Sequence, residues 1–121
     1  MSVVNVKVKF IRPRYANLKQ WCEDPANVYI GRRGVVFCDG ERYPKANSIW
    51  ANPFKLKQYS RRESLRLYEE YIENKINTDP LYNLTQLDGK NLGCWCHPES
   101  CHGDILIEKM KIMTRFEGKE K

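Results

Sequence analysis

No uninterrupted apolar run in this 121-residue chain approaches the roughly eighteen residues a membrane-spanning helix needs. The first ten residues, MSVVNVKVKF, carry charges inside their apolar stretch and lead to no small-residue cleavage site, which argues against a secretory signal. No internal repeat is present, and no low-complexity segment precedes the lysine-rich end. YIGRRG, residues 29–34, lacks the length and glycine pattern of a nucleotide-binding loop, and no cofactor fingerprint occurs elsewhere. The basic residues are scattered rather than blocked, so no nuclear-localisation run can be read. Cysteine is the exception to this sparseness. There are five, an odd number, and without a secretory signal they imply a reducing compartment in which thiols stay reduced or bind metal. The expected setting is cytosolic, or the cytoplasm of a host cell.

What is present suits one compact domain. A chain of 121 residues that is 41% hydrophobic can bury one core but not two comfortable ones. We expect a single domain over 1–114 and a flexible basic tail over 115–121. The balance of 21 Lys and Arg against 15 Asp and Glu, a formal +6, permits salt-sensitive attraction to phosphate without requiring it.

VVNVKVKF alternates, with Val4, Val6, Val8 and Phe10 on one side, and predicts a half-buried strand. A helical turn is expected around Ala16 to Trp21, with Trp21 and Cys22 lying over the core. VYIG and VVFCDG read as strands, the second closing in the Asp-Gly hairpin signal. ERYPKANSIWANPFKLKQY has neither a helical nor an alternating period and reads as an irregular loop of functional length. Ser60 and Glu63 form a capping box ahead of Leu65, Tyr68, Tyr71, Ile72 and Ile76 at helical spacing. A short helix starting at Pro80, a strand in KNLGCWC and a helix with Leu106, Met110 and Met113 on its buried stripe complete the order. Strands separated by helices predict a small α/β or α+β sheet domain.

The chemistry concentrates in GCWCHPESCHGD, where twelve residues from Gly93 to Asp104 hold three cysteines and both histidines. Cys94 and Cys96, two apart on a strand, can face one spot. Ser100 can cap a helix whose first turn holds Cys101, His102, Gly103 and Asp104, where the helix dipole favours a thiolate. Three readings stand side by side. In the first, Cys96 or Cys101 acts as nucleophile with His102 as proton acceptor and Asp104 as orienting or second acid/base group. This is where α/β sheets place sites, and the helix start would also hold an anion. In the second, four ligands drawn from Cys94, Cys96, His97, Cys101 and His102 bind zinc, a good set of ligand types whose spacing lacks the usual two separated pairs. In the third, the thiols are core beside Trp95. Gly103 weighs against the third, because a glycine inside a first helical turn is unfavourable unless something approaches its backbone closely.

Two loop features sit beside this cluster. Arg32, just after a strand, can make a bidentate contact with phosphate or carboxylate. In WANPF, Asn52 is held extended by Pro53 between Trp50 and Phe54, which suits reading a base edge by hydrogen bonds and stacking; an Asx turn is the equal alternative.

The motifs VYIGR, WANPF, the capped helix and LDGKNLGCWCHPESCHGDIL resemble a family designated domain of unknown function 4326, found in bacteria, phages and large DNA viruses. The resemblance runs from about Val28 to Leu106. It singles out Tyr29, Gly31, Arg32, Trp50, Asn52, Pro53, Phe54, Gly89, Leu92, Cys94, Trp95, Cys96, Pro98, Cys101, His102, Gly103, Asp104 and Leu106, and supports a viral, phage or bacterial source. Ala51 stands where the family has glycine, the link from arginine to tryptophan is longer than usual, and position 97 is variable in the family, which removes His97 as an essential ligand. The resemblance supplies no reaction, so function has to be argued from the site.

The leading expectation is a pocket for a nucleotide or nucleic-acid-derived ligand, with hydrolysis or group transfer ahead of redox chemistry. Cys96, Cys101, His102 and Asp104 would be catalytic, and Tyr29, Arg32, Trp50, Asn52 and Cys94 would bind ligand. No cofactor is required. The alternatives are a zinc-stabilised module that contacts nucleic acid or protein without catalysis, and a virion or accessory structural protein.

Overall fold

A computed structural model describes residues 2–96, 99 and 101–120, with side chains to position 112. Its centre is a parallel sheet of β1 (Ser2–Asn5), β2 (Asn27–Tyr29) and β5 (Asn91–Cys94) in the order β1-β5-β2. The register places Val3 and Val28 on either side of Leu92. A central parallel strand is covered on both faces, and β5 is built for that. Leu92 and Cys94 point into one core with Tyr68, Ile72, Leu106 and Met110. On the other face, Val6, Ile11, Leu18 and Trp21 form a second cluster. A Cβ on Gly93 would lie 2.5 Å from the Trp21 ring, so the absent side chain is what lets the indole seat on the strand. Sheet and helices in layers bear out the expected small α/β or α+β domain.

The first strand is shorter than its alternation predicts. β1 ends at Asn5, and Val8–Ile11 forms a helical turn, α1. β5 ends at Cys94, whose carbonyl takes the last ladder bond from Val6 N, so residues beyond have no partner strand. The Asn5 side chain accepts from Lys7 N and turns the chain, leaving Val8 and Phe10 exposed. α2 (Leu18–Glu23) is capped by Asn17, which accepts from Gln20 N.

The Asp-Gly turn is present, with φ of 55° at Asp39 and 81° at Gly40, joining β3 (Val36–Cys38) to β4 (Glu41–Tyr43). The second arm lies inside the segment read as loop, because Glu-Arg-Tyr is too short to show alternation. The rest of that segment is irregular as expected.

α3 (Arg61–Thr78) starts at the Ser60 cap, whose hydroxyl accepts from Glu63 N. Glu63 does not return the bond; its carboxylate pairs with Arg66 instead. Tyr68 and Ile72 are completely buried. The helix expected from Pro80 is a 3-10 turn, Leu84–Leu87, capped by Asn83. The last helix, α4 (His102–Glu120), packs on α3, where Lys109 bonds Glu69 and Glu73. It continues past position 114, where a flexible tail was expected. Met113 on the expected buried stripe lies outside the described side chains.

A candidate ligand cavity at the carboxyl edge of the sheet

The carboxyl ends of β2 and β5 lie side by side, and the chain leaves each into a loop. Between these loops, the start of α4 and the start of α3 lies a cavity of about 440 Å³. Gly31 and Arg32 come from the loop after β2, Cys94 from the end of β5 with Trp95 and Cys96 beyond the strand, and Cys101 and His102 from the start of α4. The loop before α3 supplies Asn52, Phe54, Lys55, Leu56 and Lys57, and α3 itself Arg61, Ser64 and Leu65. Open parallel sheets offer their ligand crevice at this edge, and the volume falls in the range of small-molecule sites.

Arg32 is held in place by the loop. Its Nε and Nη2 donate to the Asn52 carbonyl at 3.3 and 2.9 Å. Asn52 is in turn fixed by its own side chain: Oδ1 accepts from Phe54 N, and Nδ2 donates to Ser64 Oγ at 2.9 Å. Ser64 Oγ donates onward to the Phe54 carbonyl at 2.6 Å, although Ser64 is only 1% exposed. Asn52 therefore makes the Asx turn rather than presenting a free amide edge to a base. Lys55, Lys57 and Arg61 add three cations around the same space, with Arg61 also reaching Glu99 at 3.8 Å. No carboxylate lines this cavity among the described residues.

His102 donates from Nε2 to the Ile30 carbonyl at 2.6 Å. A carbonyl can only accept, so the proton sits on Nε2 and Nδ1 is the ring's acceptor. Burial lowers the pKa of this imidazole, outweighing the Ile30 bond, and favours the neutral ring. The Tyr68 ring meets it edge-on at 5.2 Å between centroids.

The thiols do not behave alike. Cys94 and Cys101 are 1% and 2% exposed, and their sulfurs lie 3.4 Å apart with one thiol donating to the other. That bond, together with burial, raises the Cys101 pKa, the opposite of the thiolate expected from its place at a helix start. Cys96 is half-buried and lines the cavity. No disulfide joins any of the five cysteines. Among the described residues no three His, Cys, Asp or Glu side chains are arranged as a metal site. His97, Pro98 and Ser100, including the expected Ser100 cap, lie outside the described residues.

The family model described as domain of unknown function (DUF4326) matches residues 14–112, most of the chain. The chain belongs to that family. Uncharacterized protein R718 of Acanthamoeba polyphaga mimivirus is 31% identical over 99 residues, covering 75% of this chain and 72% of that one. An uncharacterized 12.4 kDa protein of the nrdA-td intergenic region of Enterobacteria phage T4 is 31% identical over 61 residues, covering 49% of this chain and 56% of its own. No solved structure matches. The relatives bear out the resemblance and its viral and phage reach, and they carry no stated activity.

Within this family member, several motif residues serve the frame. Asp104 is exposed and absent from the cavity wall; its Oδ2 accepts from Cys101 N, capping α4, while Asp104 N bonds the Cys101 carbonyl. The expected acid/base role is replaced by a cap. Trp50 is also away from the cavity, buried against Tyr82 at 4.5 Å between centroids, with its carbonyl taking the Tyr68 hydroxyl at 2.6 Å. It cannot stack on a base there. Tyr29 is a strut: its hydroxyl donates to the Arg32 carbonyl and accepts from Trp95 Nε1 at 2.8 Å. Gly103 does need a close approach, but what approaches is the sheet. A Cβ there would meet Val3 at 2.9 Å and Ile30 at 3.0 Å.

Ser64, Lys55, Lys57 and Arg61 were not singled out by the sequence. Ser64 alone carried a signal, a small polar residue four and eight positions before Tyr68 and Ile72 on the buried stripe.

Proposed function

We propose that this cavity binds a nucleotide or nucleic-acid-derived ligand. The supporting observation is its electrostatic asymmetry: Arg32, Lys55, Lys57 and Arg61 surround a space walled by Phe54, Leu56, Leu65 and Trp95, with no carboxylate among the described wall residues. A phosphate is attracted by the cations, and a base or sugar finds apolar and aromatic surface. Arg32 is the anion anchor, since the loop presets its guanidinium and little side-chain entropy remains to be lost on binding. Phe54 and Trp95 take the stacking role first given to Trp50.

Extended to hydrolysis or group transfer, the reading uses Cys96 as nucleophile and His102 Nδ1 as proton acceptor. Cys101 is held as a thiol against Cys94, and Asp104 is committed to the helix start. Calorimetric titration with nucleoside monophosphates tests the binding step. Arg32→Ala should weaken binding about ten-fold or more, the worth of one charge-assisted contact. Undetectable binding at millimolar monophosphate would refute the reading.

One observation favours the zinc-stabilised module: two sulfurs 3.4 Å apart come near the roughly 3.8 Å that tetrahedral bonds of about 2.3 Å would set. Elemental analysis separates the readings. One tightly bound zinc per chain, lost together with folding in Cys101→Ser, supports the module; a metal-free, folded Cys101→Ser chain rules it out.

A further inference from the structure

A second cavity, of about 670 Å³, lies against the first and shares Arg32, Asn52 and Lys55 with it. The Arg32 guanidinium bonded to the Asn52 carbonyl therefore forms part of a common wall. On the far side stand Arg33, Asn47, Tyr71 and Lys75. We infer that the ligand of the first cavity is one nucleotide of a single nucleic-acid strand, whose sugar-phosphate chain crosses the Arg32–Asn52 ridge and places the neighbouring nucleotide in the second cavity. The inference rests on the nucleotide reading above and adds the class of molecule that reading leaves open.

Three observations carry it. The first is charge. Across both cavities stand Arg32, Arg33, Lys55, Lys57 and Lys75, beside Arg61, which already reaches Glu99, against one wall carboxylate among the described residues, Asp79, whose Oδ1 already accepts from Leu81 N. A monophosphate brings at most two negative charges and leaves most of these cations unneutralised, whereas a strand brings one at every nucleotide. The second is size. The second cavity is the larger of the two, more than the terminal phosphates of a nucleoside triphosphate would fill. The third is the contrast in lining. The first cavity has Phe54, Leu56, Leu65 and Trp95 for a base, while the second is polar, with Asn47 and Lys75 for sugar and phosphate and the Tyr71 ring, 5.7 Å from Lys75 Nζ, as an aromatic surface.

Lys75 belongs to the second cavity alone and is half-exposed on α3, so Lys75→Ala tests the inference without touching the first cavity. Affinities of the wild type, Lys75→Ala and Lys75→Arg are measured by calorimetry and fluorescence anisotropy for the four nucleoside monophosphates, the four triphosphates and the matching homotetranucleotides, in deoxy and ribo forms, at several salt concentrations. We expect the best tetranucleotide to bind about ten-fold or more tighter than its monophosphate at low salt, as each added phosphate contact releases counterions. Lys75→Ala should remove several-fold of that gain, reduce the salt slope by about 0.7 and leave monophosphate affinity unchanged, and Lys75→Arg should restore the gain. A tetranucleotide no tighter than its monophosphate overturns the inference and leaves the nucleotide pocket standing. A triphosphate as tight as the tetranucleotide, or a Lys75→Ala chain equally weakened for monophosphate, overturns it too. Failure of every ligand to bind removes both readings together.

Discussion

Ser64→Ala should be costly out of proportion to the single oxygen it deletes. The hydroxyl donates to the Phe54 carbonyl at 2.6 Å and accepts from Asn52 Nδ2 at 2.9 Å, inside a residue 1% exposed. Its loss leaves one acceptor and one donor without their partner, and each such orphan costs about 1–3 kcal/mol when water cannot replace the bond. Asn52 is only half-buried, so its amide recovers some hydration and falls at the lower end. Alanine's better helix propensity returns up to about 0.5 kcal/mol. A net loss of about 2–3 kcal/mol results, which for a chain of this size lowers Tm by about 8–12 °C. Urea denaturation and calorimetry read it directly. Asn52→Ala and the double variant complete a cycle, and the direct bond predicts a coupling of at least about 0.5 kcal/mol. Because the Asn52 carbonyl holds Arg32, monophosphate affinity should fall with stability. A Ser64→Ala loss below about 0.5 kcal/mol, or strict additivity with Asn52→Ala, would refute the bridge as the loop's anchor.

Gly103→Ala should destabilise by about 0.5–2 kcal/mol, because the new methyl meets Val3 at 2.9 Å and Ile30 at 3.0 Å, a strain of about 1–3 kcal/mol that alanine's better helix propensity offsets by up to about 1 kcal/mol; a chemical-denaturation midpoint equal to wild type would contradict that packing. For His102 the folded pKa is lowered by burial, so below the ordinary histidine value of about 6.5 the unfolded chain takes up a proton that the folded chain declines. Stability should therefore fall as pH drops from about 7 through that window and level off below the lowered folded pKa, and His102→Gln should flatten this part of the profile; an unchanged slope in the variant would assign it elsewhere. Brief alkylation of the native protein followed by peptide mapping should label Cys96 ahead of the buried Cys94 and Cys101, and a bound monophosphate should protect Cys96. Equal labelling of all three would mean that the buried pair opens readily.

The parts of the fold that local chemistry controls were legible in the sequence. α3 could be read from its serine cap and stripe, the hairpin from Asp39-Gly40, and the junction of β5 with α4 from the apolar strand that runs into Cys101-His102-Gly103-Asp104. The end of β1 could not be read, since alternation persists to Phe10 whether or not a partner strand reaches that far. Motif residues could be placed near one another but not given their tasks: Trp50 and Asp104 have side chains that suit a ligand equally well as a core or a cap.

The sequence by itself determined a small α/β or α+β class and the motifs that carry the family resemblance, because strand and helix periodicity, turn residues and motif spacing are properties of neighbours. Only the tertiary structure decided which of these side chains face the cavity. Cys94 sits opposite Cys101 because a strand end meets a helix start, His102 takes one tautomer because the Ile30 carbonyl crosses from β2, and Lys55 and Lys57 join Arg32 because an aperiodic loop is pinned by Ser64. Each of these depends on contacts between residues distant along the chain, and no local pattern encodes them.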